Sequence, residues 1–329
     1  MRAIQITEET GPDSALKLVE IPEPAASHML TPGSGVLVEV HVAGVSFPEL
    51  LQTRGQYQMK PPLPYVPGSE VGGVVISAPD DAAVKAGDRV AAFCALGGWA
   101  ETAVAPEFFT FPLGDLDYAQ GAALVLNYHT AYFSLRVRGR LKEGETVLVH
   151  GGAGGVGTAS LQVARALGAK TIATVSTEEK RKVALEAGAD HVVMIAEGWK
   201  DEVVEISGGG VDLVLDPVGG DRFLDSLRSL AEDGRLVVVG FTGGSIPEVR
   251  VNRLLLKNTE VIGAGWGGYV MGKPEMNREI GAAIGRMIDA GIVAPLIGQR
   301  FPLEEAAAAL HTLDERRALG KVVLDVRTA

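Results

Sequence analysis

The chain has 329 residues, of which 47% are hydrophobic and 22% charged, and its formal net charge is −11. This composition excludes a disordered chain, and the length favours two folded lobes or one domain with a large insertion. The acidic balance excludes a nucleic-acid partner and disfavours an anionic membrane surface, because both depend on clustered Lys and Arg.

The N-terminus and the cysteine content predict a cytoplasmic protein. Glu8 and Glu9 lie where a secretory signal requires an apolar core, and no uninterrupted apolar run reaches membrane-spanning length. Cys94 is the only cysteine, which excludes an intramolecular disulfide and suits a reducing compartment. We therefore expect neither a membrane nor a nucleic acid as partner.

From Met1 to about Leu124 the sequence consists of short Val-rich runs bounded by Pro and Gly. Examples are "ALKLVEIP", "GVLVEVHVAGVS", "VGGVVISA" and "DRVAAFCA". Runs of this length and composition are typical of strands in an antiparallel sheet or a partial barrel. The pattern predicts that a β-rich lobe comes first.

After residue 124 the sequence changes to alternating strands and helices. The segment "ALVLNYHTAYFSLRVRGRL" has mixed helical spacing, and "TVLVH" is then followed by "GTASLQVARALG", "VDLVLDPV" by "RFLDSLRSLAEDG", and "RLVVVGF" by "VNRLLLK". This alternation predicts an α/β fold with a doubly wound parallel sheet. Because the closing run "GKVVLDVR" resembles the opening lobe, we expect residues 1–123 and 297–329 to form one domain and residues 124–296 to form an inserted one.

The most informative stretch is "VLVHGGAGGVGTASLQVARALGAK", which runs from Val147 to Lys170. Its glycines match G-x-G-x-x-G, with a strand before the loop and a helix after it, as dinucleotide binding requires. The first glycine should make the sharp turn, the second should admit the pyrophosphate, and the third should let helix and strand pack closely. The alternative is a glycine-rich turn without a ligand. The loop residues expected to bind a cofactor are Gly152, Ala153, Gly154, Gly155, Val156 and Gly157.

The end of the second strand indicates which nucleotide is bound. Ser176 lies 22 residues after Gly154, where an NAD-binding protein would carry an acidic residue. Ser176 and Thr177 offer hydroxyls, and Lys180 follows one helical turn later, which favours a 2′-phosphate and hence NADP(H). Two alternatives stay open: Ser176 could be a helix N-cap in an S-x-x-E capping box, and the two glutamates after Thr177 could favour NAD.

The sequence contains no recognisable metal or hydrolase motif. Cys94 and the histidines lie at spacings that do not form a zinc site, and neither G-x-S-x-G nor a Tyr-x-x-x-Lys pair is present in a suitable place. Cys94 is expected to be a core residue, and His150 to have a packing role. We predict no metal and identify no catalytic side chain. This pattern favours hydride transfer to an acceptor that is already electrophilic. The six histidines are at positions 28, 41, 129, 150, 191 and 311.

Several motifs together carry a family resemblance over nearly the whole chain. They include "AGVSFPELLQTRGQY", "PLPYVPGSEVGGVV", "ETVLVHGGAGGVGTASLQVARALGA", "VDLVLDPVGG", "GRLVVVGF" and "GKVVLDV". The sequence resembles the zinc-independent medium-chain dehydrogenases/reductases of the quinone oxidoreductase, or zeta-crystallin-like, group. The resemblance implies a GroES-like lobe interrupted by a Rossmann domain, NADPH in the cleft between them, and a homodimer.

The resemblance also implies cofactor contacts outside the glycine loop. Ser176 and Lys180 match the positions at the 2′-phosphate. Two departures concern the polar contacts: Ser46 and Glu49 stand where the family often has Asn and Asp, and Ile195 replaces a tyrosine near the adenosine phosphate. The remaining cofactor positions implied by the resemblance are Thr130, Val218, Val239, Gly240, Phe241, Ala264, Gly265, Trp266 and Lys321.

For the acceptor, the resemblance implies a pocket that includes Ser46, Glu49, Tyr57 and Asn127, with Tyr65 and Trp266 nearby. The leading hypothesis is an NADPH-dependent reductase of quinones or other α,β-unsaturated carbonyl compounds that works without zinc. The alternatives are an enoyl thioester or 2-alkenal reductase, or a protein that binds NADPH without turnover. The homodimer is expected to form by edge pairing of the "EVIGAG" strand.

Overall fold

The computed structural model describes residues 1–327, and its contacts divide the chain into two compact units. The first contains residues 1–126, 273–281 and the chain from Pro295 onward, and the second contains residues 127–272 and 282–294. The domain boundaries expected from the sequence stay a prediction, and Thr328 and Ala329, which they include, lie outside the described residues. Within residues 1–327, no helix has the length and apolar character needed to cross a membrane.

Fifteen strands are present in the described chain. In chain order they are β1 (Arg2–Ile6), β2 (Leu16–Glu20), β3 (Val36–Val45), β4 (Glu70–Ser77), β5 (Arg89–Phe93), β6 (Thr102–Ala105), β7 (Thr110–Pro112), β8 (Thr146–His150), β9 (Lys170–Val175), β10 (His191–Met194), β11 (Val211–Asp216), β12 (Leu230–Val238), β13 (Glu260–Gly263), β14 (Ile297–Pro302) and β15 (Lys321–Asp325).

The α-helices of the described chain vary from three to sixteen residues. They are α1 (Pro12–Ala15), α2 (Phe47–Gln52), α3 (Tyr118–Gly121), α4 (Thr130–Tyr132), α5 (Gly155–Ala166), α6 (Glu178–Glu186), α7 (Trp199–Ile206), α8 (Phe223–Arg228), α9 (Asn252–Leu255), α10 (Trp266–Val270), α11 (Pro274–Asp289) and α12 (Ala306–Asp314).

The first unit is built around a seven-stranded sheet in which β3 is central. The strand order is β14-β15-β3-β4-β5-β7, and β6 also pairs with β3. Alternate residues of β3, including Val36, Val38 and Val40, are fully buried, as expected for a strand with one face on a core. The C-terminal segment returns to this sheet, since β15 pairs with β3 antiparallel and Val322 lies opposite Val45. A separate sheet joins β1 and β2.

The second unit contains a six-stranded, entirely parallel sheet. Its strand order is β10-β9-β8-β11-β12-β13, which confirms the expected doubly wound α/β arrangement. The strand order reverses between β8 and β11. The loops that leave the carboxyl ends of these two strands therefore adjoin, and this is the place where doubly wound sheets bind nucleotides.

Three elements differ from the sequence expectation. The helical segment after residue 124 is only partly α-helical, because Val125–His129 and Phe133–Arg138 are π-helical on either side of α4. The segment "SLAEDG" was expected to extend a helix, but β12 already begins at Leu230, which is buried and pairs with Val211. The run "EVIGAGWG" is a strand only as far as Gly263, since α10 begins at Trp266.

Candidate active site

The glycine loop lies between β8 and α5, as the sequence predicts. Gly154 N donates to the carbonyl of Gly151 at 3.0 Å, so the sharp turn begins at Gly151, which has φ +63°, and Gly152 lies within it. Gly152 is also buried, and a Cβ on it would lie 2.7 Å from the Cβ of Ala173 on β9. Gly152 therefore allows the loop to pack against the neighbouring strand.

The other two glycines of the motif face different surroundings. A Cβ on Gly157 would lie 2.1 Å from the carbonyl oxygen of Gly151, so this position requires glycine for close packing. A Cβ on Gly154 would meet only that same oxygen, at 3.5 Å, so the outer face of Gly154 is open. Gly154 is also the N-cap of α5 and gives it no side-chain cap. The first-turn amides of α5 are therefore donors for a phosphate.

His150 supports this loop from beneath. The ring is fully buried, with Nδ1 2.8 Å from Thr174 Oγ1 and Nε2 2.7 Å from Ser226 Oγ. The carbonyl of Thr174 accepts a 3.1 Å hydrogen bond from Gly152 N, so the same residue holds both the ring and the loop. Burial lowers the pKa of His150 to about 4, against the opposing charge of Asp216. His150 is therefore a neutral packing residue at neutral pH.

The end of β9 carries a basic and hydroxyl-bearing pair. Lys180 Nζ donates a 3.2 Å hydrogen bond to Ser176 Oγ, and Ser176 is exposed. The N-cap of α6 is Thr177, whose Oγ1 accepts from Lys180 N at 3.3 Å. The alternative that Ser176 is the N-cap is therefore wrong. The Ser176 hydroxyl lies beside the ammonium group of Lys180 at the end of β9. Dinucleotide-binding folds recognise the 2′-substituent of the ribose at this strand end.

Two loops line the other side of the switch point. Asp216 Oδ1 accepts hydrogen bonds from Val218 N at 2.8 Å and Gly219 N at 2.9 Å, which fixes the loop after β11. The loop after β12 is joined to it, since Gly243 N donates to the carbonyl of Val218 at 2.8 Å. A Cβ on Gly151 would lie 3.5 Å from the Val218 side chain, so these loops adjoin the glycine turn.

The cofactor contacts expected from the loop after β12 lie close to the loop after β11. Val239 N donates to the carbonyl of Asp216 at 2.9 Å, and a Cβ on Gly240 would lie 3.4 Å from the carbonyl of Pro217. Phe241 is half-exposed beside Gly219. These positions are held by backbone hydrogen bonds, so their placement depends little on side-chain identity.

Four more cofactor positions implied by the resemblance belong to the second unit: Thr130, Ala264 and Trp266 are buried, whereas Gly265 is exposed. Thr130 is buried at the start of α4, and Ala264 N donates to the carbonyl of Val238 at 2.9 Å. Gly265 is the N-cap of α10, and the buried ring of Trp266 lies edge-on to His129 with centroids 5.5 Å apart.

Asn127 lies against the glycine loop. Its Nδ2 is 2.9 Å from the position that a Cβ on Gly155 would take, and its side chain is buried. Asn127 belongs to the second unit, whereas Ser46, Glu49 and Tyr57, which were also expected to bind the acceptor, belong to the first.

In the first unit, Ser46 and Glu49 begin a compact polar cluster. Glu49 is buried at the start of α2, and its Oε2 accepts a 2.9 Å hydrogen bond from Ser46 N. Its Oε1 accepts from Ser69 N at 2.9 Å and also from the Ser69 hydroxyl. Burial raises the pKa of Glu49, while the bonds from Ser69 and the positive charge of Lys321 oppose that shift. The Glu49 carboxylate thus accepts three hydrogen bonds, from Ser46 and Ser69, and also interacts with the positive charge of Lys321.

Lys321 joins this cluster from β15. Its Nζ donates to Ser46 Oγ at 2.6 Å and to Glu70 Oε1 at 2.5 Å, and the side chains of Lys321 and Glu70 are only 4% and 0% exposed. Leu126 N donates to the second oxygen of Glu70 at 2.9 Å. Burial raises the pKa of Glu70, with Lys321 opposing. The cofactor contact of Lys321 that the resemblance implies stays a prediction; in the structure Lys321 bonds Ser46 and Glu70.

Two tyrosines lie near Glu49. Tyr57 and Tyr65 are half-buried, and burial together with the negative charge of Glu49 raises the pKa of each hydroxyl, with Glu9 contributing at Tyr65. Tyr65 is further fixed by backbone hydrogen bonds with Ile6. Ser46 and Glu49 therefore share one hydrogen-bonded cluster, and Tyr57 is near enough to sense the charge of Glu49; its acceptor contact stays a prediction.

Sequence reasoning missed Ser69 and Glu70, although both lie in the quoted motif "PGSEVGGVV". A buried Glu beside a Ser in an apolar segment is the only local signal. Elsewhere, Cys94 is fully buried, and burial raises the pKa of its thiol to about 12, as expected for a core residue. Across residues 1–327, no group of three or more His, Cys, Asp or Glu side chains is arranged to hold a metal ion.

Family models match both units. The alcohol dehydrogenase GroES-like domain matches residues 32–115, and the model described as zinc-binding dehydrogenase matches residues 155–282. Quinone oxidoreductase-like protein 2 of Bos taurus is 39% identical over 89% of this chain and 85% of its own length. Quinone oxidoreductase of Rattus norvegicus is 37% identical over 98% of this chain and 97% of its own length.

The fold is also similar to solved structures. Escherichia coli quinone oxidoreductase complexed with NADPH superimposes with a TM-score of 0.87, at 31% sequence identity, over 99% of this chain and 100% of that one.

Proposed function

The chain belongs to the quinone oxidoreductase group of the medium-chain dehydrogenases/reductases, and we propose that it is an NADPH-dependent reductase of quinones or other α,β-unsaturated carbonyl compounds. The acceptor is reduced by hydride transfer without zinc. The observation that carries the proposal is the Ser176–Lys180 pair at the end of β9, next to a glycine loop whose outer face is open.

This pair suits a 2′-phosphate for an electrostatic reason. A phosphate carries nearly two negative charges, and the ammonium of Lys180 and the hydroxyl of Ser176 can both donate to it. The glycine loop supports the pyrophosphate through first-turn amides of α5. When bound, NADPH supplies the hydride. We propose that it is held by Thr130, Gly152, Ala153, Gly154, Gly155, Val156, Gly157, Ser176, Lys180, Val218, Gly240, Phe241, Ala264, Gly265 and Trp266.

The acceptor is proposed to bind at the polar cluster of the first unit, defined by Ser46, Glu49 and Tyr57. Ser46 and Tyr57 are half-buried, so each side chain is partly exposed to solvent and partly packed against the protein. Such hydroxyls can orient a carbonyl oxygen while apolar neighbours exclude water. We retain Asn127 as a proposed contact, although its side chain lies against Gly155 and is better placed to support the cofactor loop.

Cofactor selectivity tests the carrying observation. We expect Lys180→Met to weaken NADPH binding about ten- to hundredfold, the range of a charge-assisted hydrogen bond, and to leave NADH binding unchanged. Lys182→Met is the matched control, because it removes the same charge from the same helix without altering the Ser176 pair. The measurement is fluorescence titration of both cofactors. Equal loss of NADH and NADPH affinity in Lys180→Met would contradict the 2′-phosphate assignment.

A panel of acceptors tests the reaction class. We expect NADPH oxidation with benzoquinones and with simple alkenals, and catalytic efficiencies compared across quinone and crotonyl-type acceptors assign the preferred class. Tight NADPH binding with no turnover on any acceptor would instead support a binding protein. Activity that persists in metal-free protein after dialysis against a chelator supports the zinc-independent reaction, and activity that returns only with added zinc would overturn it.

We also propose a homodimer formed along β13. β13 is an edge strand of the parallel sheet, and the segment before it exposes large apolar residues: Ile246, Val251, Leu255 and Leu256 are 74–78% exposed. A second copy would cover them. Light scattering that gives a monomer mass at micromolar concentration would contradict this. The buried thiol of Cys94 is compatible with the proposed cytoplasmic location.

A further inference from the structure

The hydroxyl of Ser46 is held in a particular orientation. Lys321 Nζ donates to Ser46 Oγ at 2.6 Å, so the serine oxygen is the acceptor in this bond. Its own O–H proton must therefore point away from Lys321. Because Ser46 is half-buried while Lys321 and Glu70 are almost fully buried, that proton is the polar hydrogen of this triad nearest to the surface.

We propose that Ser46 donates the proton that completes reduction of the acceptor, and that Lys321 restores the proton to Ser46. The proposal rests on the proposed function. It assigns Ser46 a catalytic role, and Lys321 acts through Ser46 and is a positioning and proton-supplying residue.

The step balances as follows. The hydride that bound NADPH would supply is equivalent to two electrons and one proton, and its addition would leave negative charge on the carbonyl oxygen of the acceptor. The Ser46 O–H bond then breaks and an O–H bond forms on that oxygen. One N–H bond of Lys321 breaks as the Ser46 O–H bond re-forms. Lys321 is left as a neutral amine and takes a proton from water before the next turnover.

The surrounding charges suit this relay. A serine hydroxyl is too weak an acid to give up its proton alone, but an ammonium group at hydrogen-bond distance can replace that proton as it leaves. Lys321 Nζ donates to Glu70 Oε1 on β4 at 2.5 Å, and the Glu49 carboxyl group on α2 also interacts electrostatically with Lys321. Glu49 itself is engaged by Ser46 N and Ser69, which makes it a less available proton donor.

Ser46 variants test the donor directly. We expect Ser46→Ala to lower kcat with a two-electron quinone acceptor about 100-fold, the usual contribution of a general acid. Ser46→Thr keeps the hydroxyl and should recover most of that loss. NADPH affinity, measured by fluorescence, should be unchanged in both variants. Wild-type kcat in Ser46→Ala would overturn the proposal while leaving the proposed function intact, whereas no turnover in the wild type would remove the proposed function itself.

A series of quinones separates proton donation from a structural effect. Electron-withdrawing substituents stabilise the reduced anion, so protonation matters less to its formation. The kcat defect of Ser46→Ala should shrink along such a series. A defect of constant size across the series would show that Ser46 only positions the acceptor and would overturn the relay.

Lys321 is tested as a pair with Glu70, because removing one partner leaves the other charge buried. We expect the double variant Lys321→Met/Glu70→Met to fold, to bind NADPH with unchanged affinity, and to lose about tenfold or more in kcat. A tenfold loss of NADPH affinity with unchanged kcat would instead place Lys321 at the cofactor and overturn the proposal. If the double variant does not fold, Lys321→Arg, which keeps the charge but cannot release a proton, decides in the same way.

Discussion

The glycine loop of the second unit and the Ser46–Lys321 cluster of the first unit are built from different parts of the chain. The loop is made of backbone within one short segment, and its shape is set by Gly151, Gly152 and Gly157. The cluster is made of side chains from α2, β4 and β15, and Lys321 is separated from Ser46 by 275 residues. A backbone site can be recognised locally, whereas a side-chain cluster depends on the register of a whole sheet.

The first prediction is that the glycines of the loop differ in how well they tolerate substitution by alanine. Gly157→Ala should lower NADPH affinity more than 100-fold and destabilise the second unit by about 1–3 kcal/mol, since its Cβ would meet the Gly151 carbonyl oxygen at 2.1 Å. Gly154→Ala should fold normally and bind NADPH about tenfold more weakly, because the new methyl occupies only the open face. Fluorescence titration and urea unfolding measure both. Equal stability loss in the two variants would contradict the division of roles between them.

The second prediction concerns His150, which supports the glycine loop through Thr174. The native pKa of His150 is about 4, below the ordinary value of about 6.5, so the unfolded state binds more protons between these pH values. The free energy of unfolding should therefore fall as pH decreases from about 6.5 to 4, by on the order of 3 kcal/mol in all.

The measurement is the free energy of unfolding in urea at several pH values, followed by a spectroscopic signal from the second unit. His150→Gln, which can still bond Thr174 and Ser226, should flatten the pH dependence. His191→Gln is the control, because His191 is exposed. A slope that is the same in wild type and His150→Gln would show that another group controls acid unfolding.

The third prediction concerns the rim of the side-chain cluster. Tyr57→Phe should raise the KM for a quinone roughly three- to tenfold, the net value of one hydrogen bond, without changing NADPH affinity. Tyr65→Phe should have a smaller effect, because Tyr65 is held by backbone bonds to Ile6 and contributes mainly packing. A larger rise in KM for Tyr65→Phe than for Tyr57→Phe would indicate that the acceptor binds nearer to Tyr65 than to Tyr57.

The smallest expected effect is at Cys94. Its thiol is fully buried and protonated, with its pKa raised to about 12, so native protein should react with iodoacetamide at pH 8 at least 100-fold more slowly than unfolded protein. Cys94→Ala should leave NADPH affinity and kcat unchanged. Rapid labelling of native protein would show that the core of the first unit opens.

The sequence predicted the second unit in detail because its signals are local. Strand–helix alternation identified the parallel sheet, and the glycine spacing identified the loop. One local detail was not predicted and one alternative was wrong, each for an identifiable reason. Five glycines within seven positions do not show which one takes a positive φ, and Gly151, which does, lies outside the matched motif. Ser176 and Thr177 are both good N-caps, and the end of β9 at Val175 leaves that role to Thr177.

The cluster of the first unit was predicted only in part. Ser46, Glu49 and Tyr57 lie within twelve residues of each other, so a single motif included them all. The pairing of Glu70 with Lys321 has no local signal, because it arises from the order in which β4, β3 and β15 lie in the sheet. Without the order of the strands in the sheet, a lysine in an apolar terminal strand is predicted to lie at the surface or to bind a ligand, and its pairing with a buried glutamate is not foreseen.

The position of β15 also has a consequence for synthesis of the chain. The strands of the parallel sheet, β8 to β13, are complete once residue 263 has been made, so this sheet can form while the ribosome is still translating. The other sheet lacks the strand between β14 and β3 until residue 325 emerges. Nascent chains should therefore form the parallel sheet and its glycine loop before Lys321 of β15 can reach Ser46.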